Sequence, residues 1–229
     1  MQTTRTQVIQ GNVKHLIENF DKYLGIYTLR PPFKKPEQLD FHRRTISLRI
    51  SNGSAANAIN DDAFVSILYQ TLRAWGIGLR GSNLSPYSEF KEALQAKVNQ
   101  IANLDGLRLD DRQLDLQRLS NDLWQLMDSL EIVQNLAKLV ACSKTLHHIL
   151  PDLVVPIDRE YTRKFFRWHG PEFQYGQEKF LFLAIKNFAN IARATNPEQF
   201  VGKKWDTCQT KVIDNAIVGY MMTHPRIDL

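Results

Sequence analysis

The chain has 229 residues, of which 43% are hydrophobic and 23% charged, and its net charge is +5. This length suits one large domain or two closely packed lobes, with enough apolar residues for a buried core. The sequence contains no apolar run near the roughly 18 residues that a membrane span requires. The N-terminal segment lacks the apolar stretch of a signal peptide, so we expect a cytoplasmic protein without membrane association.

The cysteine count and the charge balance limit the function classes further. Cys142 and Cys208 are the two cysteines, too few for a disulfide framework or a four-cysteine metal site. Cys142 lies in an apolar run and is interpreted as a core residue. We expect no metal and no cofactor. The positive net charge modestly favours an anionic partner such as nucleic acid.

The first third of the chain is predicted to be helical. Apolar residues recur at helical spacing over residues 7–24, and a second helix is predicted to start at Pro36 and to run to residue 50. That second helix carries several basic residues, which we interpret as surface charge in preference to phosphate contacts. They are His42, Arg43, Arg44 and Arg49.

A third helix, capped by Asp61 or Asp62, leads into the most glycine-rich stretch of the chain. Gly76, Gly78 and Gly81 allow a tight backbone there, with Arg80 available for a phosphate. An interhelical turn and a binding loop are equally good interpretations. A helix over residues 85–103 and one or two helices over 114–140 follow, and the aspartates at 105–115 are interpreted as helix caps and solvated charges.

The central stretch, residues 135–168, is predicted to form two helices joined by a buried connection. Pro151 ends the first helix, and the apolar residues 153–157 deliver Asp158 to the start of the second, where a carboxylate can accept backbone N–H groups. The second helix has an apolar stripe and a basic face. The basic face is either solvated or directed at phosphates. The stripe is Tyr161, Phe165 and Trp168, and the basic face is Arg159, Arg163 and Arg167.

The last third contains two further predicted helices, over residues 178–194 and 210–222. Thr195-Asn196-Pro197 ends the first of them. Lys203 and Lys204 next to Trp205 form a short basic loop, interpreted as a nucleic-acid contact or an ordinary surface. Since no strand pattern appears, the fold class is all-α.

Two segments resemble the helix-hairpin-helix DNA glycosylase superfamily. Lys144-Thr145, the following apolar helix, Pro156-Ile157-Asp158 and Arg163 resemble its core, although residues 139–143 replace its glycine-containing turn. Residues 64–71, FVSILYQT, resemble its earlier helix that leads to a base-replacing loop. The resemblance implies one helical domain over residues 1–229, built as two packed lobes with the cleft near 61–85 and 140–168.

The same resemblance implies an enzyme that flips a modified or damaged base out of double-stranded DNA and cleaves its N-glycosidic bond. Asp158 would stabilise the oxocarbenium-like transition state, and Lys144 would act as a lyase nucleophile or a phosphate contact. Because the glycine turn is missing, we expect a monofunctional enzyme that leaves an abasic site. We also expect the protein to be a monomer. The expected base-pocket or insertion residues are Tyr69, Gln70, Trp75, His147 and His148. The expected DNA-backbone contacts are Arg80, Arg159, Arg163, Arg167, Lys203 and Lys204.

Two other functions remain open from the sequence. One is a non-catalytic helical protein that binds DNA or RNA with the same basic surfaces, in which Asp158 is only a helix cap. The other is a helical interaction module with solvated basic faces. For the enzyme, alkylated, oxidised and mismatched bases and hypermodified phage cytosines are the open alternatives, and the last of them implies a role in phage defence.

Overall fold

The computed structural model of the chain describes residues 4–78, 83–134, 138–202 and 204–224. Within these ranges the protein is all-helical, with one isolated bridge between Leu84 and Val133, so the all-α prediction is confirmed. The elements are α1 (Arg5–Glu18), α2 (Phe20–Leu29), α3 (Pro36–Ser51), α4 (Ala55–Asn60), α5 (Asp62–Ala74), α6 (Tyr87–Ala96), α7 (Val98–Ala102), α8 (Leu116–Ser129), α9 (Leu139–Ile149), α10 (Thr162–Phe165), α11 (Gly170–Tyr175), α12 (Gln177–Thr195), a 3-10 helix (Pro197–Phe200) and α13 (Gln209–Thr223).

Helix α13 lies at the centre of the molecule. Every residue from Gln209 to Met221 is buried, which is the environment of a helix packed on all sides. Helix α2 lies directly against it: a Cβ atom placed on Gly219 would stand 1.9 Å from the carbonyl oxygen of Tyr23. The backbones of α2 and α13 therefore touch at a point where a side chain has no room.

Helix α3 packs against α5 and α9 and buries part of its polar face. Arg49 donates from Nε to the carbonyl oxygen of Ile149 at 2.6 Å and forms an ion pair with Asp105. His42 is also fully buried, whereas Arg43 and Arg44 are exposed. The interpretation of this set as surface charge is thus wrong for His42 and Arg49, because distant parts of the chain supply acceptors for them.

Several predicted helices are interrupted. The helix over residues 7–24 is two helices that break at Asn19, the helix over 85–103 breaks at Lys97, and α4 and α11 were not predicted. The helices that begin at Pro36, Asp62, Gln177 and Gln209 match their predicted positions.

The prediction of a long helix after Asp158 needs the largest correction, because the helix found there, α10, has only four residues. The chain leaves it at once, and Arg167 adopts a positive φ of 58°. Phe165 and Phe166 are adjacent in the sequence and both fully buried, and their ring centroids lie 5.1 Å apart. Two adjacent buried aromatic residues do not fit the single apolar stripe predicted for this helix. Arg163 supports the turn by donating from Nη1 to the carbonyl oxygen of Trp168 at 2.6 Å. No continuous basic face from Arg159 to Arg167 therefore exists.

One cluster of buried apolar side chains extends from Ile9 in α1 to Met221 in α13. The division into two lobes stays a prediction. None of the helices in the described ranges is both long and apolar enough to span a bilayer.

Candidate functional site

The connection between α9 and α10 brings Asp158 back beside α9. Residues 153–157 are buried, and the backbone N–H of Ile157 donates to Oγ of Ser143 in α9 at 3.1 Å. This bond fixes the returning chain against the helix that carries Lys144. The predicted buried connection is therefore present, and it places two sequence-distant charged residues on one side of α9.

Asp158 accepts several hydrogen bonds from the turn that follows it. Its Oδ1 atom accepts the backbone N–H groups of Glu160 at 2.7 Å and Tyr161 at 2.6 Å, and its Oδ2 atom lies 3.3 Å from Oγ1 of Thr162. The prediction that Asp158 caps backbone N–H groups is confirmed. These bonds also fix the orientation of the carboxylate before any ligand arrives.

A cavity of about 330 Å³ opens beside this carboxylate, and both Asp158 and Lys144 line it. Aromatic rings form much of the remaining wall. The aromatic lining residues are Tyr27, Phe33, Trp75 and Tyr161. A volume of this size falls at the lower end of the roughly 300–1,000 Å³ typical of small-molecule sites. The site thus combines flat apolar surfaces with a few charged groups.

Two further charged lining residues, Lys211 and Asp214, come from the central helix α13. Nζ of the fully buried Lys211 donates to Oδ2 of Asp214 at 2.5 Å and to Oδ1 of Asn215 at 2.7 Å. The ammonium also lies 5.4–5.9 Å from the ring centroids of four aromatic side chains. These rings are those of Tyr27, Phe33, Trp75 and Trp205.

Lys211 and Asp214 were not predicted as site residues, although their spacing is visible in the sequence. With Asn215 and Val218 they occupy positions i, i+3, i+4 and i+7 of α13, which is the spacing of a core-facing stripe. Charged residues at core-facing positions of a helix are expected to be paired or functional.

The charged groups of the cavity influence one another. Burial lowers the pKa of Lys144, and the carboxylates of Asp158 and Asp214 oppose this effect. Burial raises the pKa of Asp214, opposed by Lys211. Burial acts to lower the pKa of Lys211, but Asp214, Tyr27 and Cys208 together outweigh this effect and raise the pKa above its ordinary value. Lys211 is therefore held as a cation, whereas Lys144 loses its proton more readily than an exposed lysine.

The expected base-pocket residues divide into three groups. Trp75 lines the cavity, next to Gly76, whose φ of 83° makes the tight turn after α5. Tyr69 instead donates to the carbonyl oxygen of Ser85 at 3.1 Å, and Gln70 is exposed, so neither lines the cavity. Both belong to α5, whereas Trp75 directly follows the last residue of that helix.

The remaining two expected pocket residues, His147 and His148, are fully buried behind the cavity wall. The ring centroid of His148 lies 4.9 Å from that of Trp75, which separates it from the cavity. The histidine pair therefore contacts the wall of the site and not its interior.

The expected DNA-backbone residues lie in different environments. Arg159 lines the cavity and is exposed, and Lys204 is exposed with a φ of 45°. Arg163 is half-buried, and its guanidinium donates to the backbone carbonyl oxygens of Arg159 and Trp168. Arg80 and Lys203 lie outside the described residues.

A larger groove of about 660 Å³ lies elsewhere on the protein. Its charged lining residues are three aspartates and one arginine, and none of its lining residues is aromatic: they are Asp111, Asp115, Asp122 and Arg118. Because these carboxylates would repel phosphates, this groove is the poorer site for nucleic acid.

Comparison with known proteins gives no further guide: no protein-family model, no curated protein and no solved structure matches the chain.

Proposed function

We propose that the protein is a DNA glycosylase that receives a modified or damaged base in the aromatic cavity and cleaves its N-glycosidic bond. The observation that supports this most directly is the presence of Asp158 and Lys144 on the wall of one aromatic-lined cavity. Such enzymes extrude the target base, stack it between aromatic or apolar side chains and read its edge with polar groups. The lining of the cavity includes aromatic, apolar and polar side chains.

The aromatic rings would hold the flipped base, and the buried pair would read its edge. Stacking on an aromatic ring contributes about 1–3 kcal/mol per base in single-strand binding, which offsets part of the cost of unstacking. Lys211 offers a donor and Asp214 an acceptor from the floor of the cavity. We expect this pair to favour a base with complementary polar groups on one edge.

Asp158 would stabilise the positive charge that develops on the sugar as the base departs. Its carboxylate is already oriented by two backbone N–H groups, so little reorganisation is needed during the reaction. A preorganised electrostatic contact of this kind is typically worth roughly 100- to 1,000-fold in rate. Lys144 would assist by holding the departing base or the phosphate, and the product would be an abasic site in double-stranded DNA.

The test is incubation of the purified protein with duplexes that contain unmodified, alkylated, oxidised, mismatched or hypermodified phage-type bases, followed by alkali to reveal abasic sites. Wild-type protein should release one class of base. Asp158→Asn should reduce single-turnover release by about 100- to 1,000-fold with little change in folding, because Asn caps a helix about as well as Asp.

Asp115→Asn is the matched control. Asp115 accepts the backbone N–H groups of Gln117 and Arg118 at 3.0 Å, as a cap, but it lines the acidic groove and not the aromatic cavity. It should keep full activity. Equal activity of wild type and a well-folded Asp158→Asn variant would show that this carboxylate is a cap and not a catalytic group.

A non-catalytic nucleic-acid-binding protein is the second candidate. The observation in its favour is that the hydrogen bonds of Asp158 are those of an ordinary cap. It predicts DNA or RNA binding without base release from any duplex, and equal affinity of wild type and Asp158→Asn protein. Absence of release from every duplex, together with salt-dependent binding, would favour this candidate over the glycosylase.

A further inference from the structure

Three fully buried histidines lie together directly behind Trp75. His42 comes from α3, and His147 and His148 come from α9. One ring nitrogen of each lies within 4.8 Å of those of the other two. Three histidines are a common set of protein ligands for Zn²⁺, with the fourth position left for water or another ligand.

The hydrogen bonds of the outer nitrogens determine which nitrogens remain as ligands. Nδ1 of His148 lies 2.7 Å from the carbonyl oxygen of Lys144, and Nδ1 of His147 lies 3.0 Å from that of Val154. A carbonyl can only accept, so both Nδ1 atoms carry the proton. Nε2 of each ring is then an unprotonated acceptor in the neutral imidazole, which is the state that binds a metal.

His42 completes the set through its Nδ1 atom. This atom lies 2.9 Å from Nε2 of His148, and Nε2 of His42 lies 2.7 Å from Oγ1 of Thr207. In the metal-free protein, Nδ1 of His42 donates to the unprotonated Nε2 of His148. With a metal bound, the proton of His42 would lie on Nε2, which would donate to Thr207, and Nδ1 would become the ligand. Each of the three rings would then be oriented by a hydrogen bond from its non-ligating nitrogen, as is usual for metal-binding histidines.

One of the three candidate ligand atoms has no partner in the described part of the chain. Nε2 of His147 is buried and makes no hydrogen bond there. Leaving a buried acceptor unpaired is unfavourable, and the great majority of such atoms have a partner. A metal ion beside His42 and His148 would supply that partner.

The charge state of the cluster suits a metal. Burial lowers the pKa of His42 and His147 well below the ordinary value, and it lowers that of His148 to about 4. Burial therefore favours the neutral form of each ring, which is the form that binds a metal.

We propose that His42, His147 and His148 bind a divalent transition-metal ion, with Zn²⁺ as the best-fitting candidate. The ion would join α3 to α9 and fix the wall of the aromatic cavity through Trp75, whose ring centroid lies 5.1 Å from that of His42. This site is independent of the proposed glycosylase activity. It was not expected from the sequence, where these histidines were interpreted as surface or pocket residues and no metal was predicted.

The test is metal binding by the full chain after treatment with a chelator, with Zn²⁺ alone as the probe. Wild-type protein should bind one Zn²⁺ per chain, and Co²⁺ in its place should give the visible absorption of a tetrahedral site. At a free Zn²⁺ concentration about 100 times the dissociation constant, Tm should rise by roughly 5–10 °C.

His147→Asn is the informative variant, because its amide nitrogen can take the place of Nδ1 and keep the bond to Val154, while Nε2 is lost. Its Zn²⁺ affinity should fall by more than about 100-fold, since even the loss of an outer hydrogen-bond partner costs roughly 10- to 100-fold. His169→Ala, which changes an exposed histidine, should bind Zn²⁺ like wild type.

If His147→Asn does not fold, Thr207→Val decides the matter, because it removes only the hydroxyl that orients His42 and should weaken Zn²⁺ binding roughly 10- to 100-fold. The proposal would be overturned if wild-type protein bound no Zn²⁺. It would also be overturned if folded His147→Asn or Thr207→Val protein bound Zn²⁺ as tightly as wild type. Binding lost equally in His169→Ala would do the same.

Discussion

The buried Lys211–Asp214 pair gives the sharpest test of how the cavity is held together. Lys211→Met keeps most of the apolar length of the side chain and removes the ammonium. That ammonium is bound to Asp214 and Asn215 and surrounded by four aromatic rings. Its removal leaves the Asp214 carboxylate buried without its hydrogen-bonded cation.

Removing one partner of a buried ion pair costs about 3–5 kcal/mol, because the remaining charge stays in a poorly solvated place. We therefore expect the free energy of unfolding of Lys211→Met to fall by about 3–5 kcal/mol near pH 7. For a chain of 229 residues this corresponds to a decrease in Tm of roughly 6–20 °C.

The destabilisation should depend on pH. Burial already raises the pKa of Asp214, and Lys211 opposes that effect, so the pKa rises further in the variant. Between the pKa of Asp214 in the unfolded chain and its higher pKa in the folded protein, the folded state binds more protons. The stability contributed by this group is present at acidic pH and is lost as the pH rises through that interval. Lys211→Met should thus lie closer to wild type in acid than at neutral pH.

The measurement is urea unfolding followed by circular dichroism, at neutral and at mildly acidic pH. Lys211→Met/Asp214→Asn removes both charges and should recover part of the lost stability. Lys14→Met, from the exposed pair with Glu18, should change stability by no more than about 0.5 kcal/mol. A Lys211→Met protein within about 1 kcal/mol of wild type at neutral pH, or a double variant less stable than the single one, would refute the reasoning.

Three further predictions concern the core and the site. Gly219→Ala should lower the free energy of unfolding in urea by about 1–3 kcal/mol, because the new Cβ meets the carbonyl oxygen of Tyr23. Gly25→Ala, whose new Cβ has nothing within 4 Å, should raise it by about 0.5–1 kcal/mol. A change of the same sign in both variants would contradict the packing of α2 on α13. If base release is monofunctional, borohydride should trap no protein–DNA adduct; an adduct formed by wild type and lost in Lys144→Ala would instead identify a lyase nucleophile. Arg159→Ala should reduce the log–log salt slope of DNA binding by about one, and an unchanged slope would remove this side chain from the contact surface.

The sequence by itself predicted the elements whose signals are local. Pro36 at the start of α3, Asp61 as the cap of α5, Pro151 after α9 and Asn196 after α12 each act through the backbone of their own few residues. The same holds for Asp158, whose capping bonds reach only to the next three residues. Local signals of this kind need no knowledge of the rest of the fold.

The sequence also predicted which charged residue would return to α9. An apolar segment bounded by two prolines has to be buried, and its burial brings Asp158 to the side of Lys144. The segment after Asp158 was predicted wrongly as a long amphipathic helix. The burial of the adjacent Phe165 and Phe166 depends on aromatic neighbours from α12 and α13, which they meet only in the folded protein.

Only the tertiary structure determined the rest of the site. From the local sequence, Lys211 and Asp214 are simply charged residues in an apolar helix, and His42 is one of several basic residues in α3. The histidines depend on partners from 63 to 165 residues away along the chain, such as Thr210 for His147 and Thr207 for His42. The Lys211–Asp214 pair is local in the sequence, but the aromatic rings around Lys211 come from distant segments. A local pattern records the period of a helix but not the charge or hydrogen-bonding capacity of what packs against it. For that physical reason the sequence could place the helices and Asp158, whereas the aromatic cavity, its buried ion pair and the histidine cluster became visible only in the folded molecule.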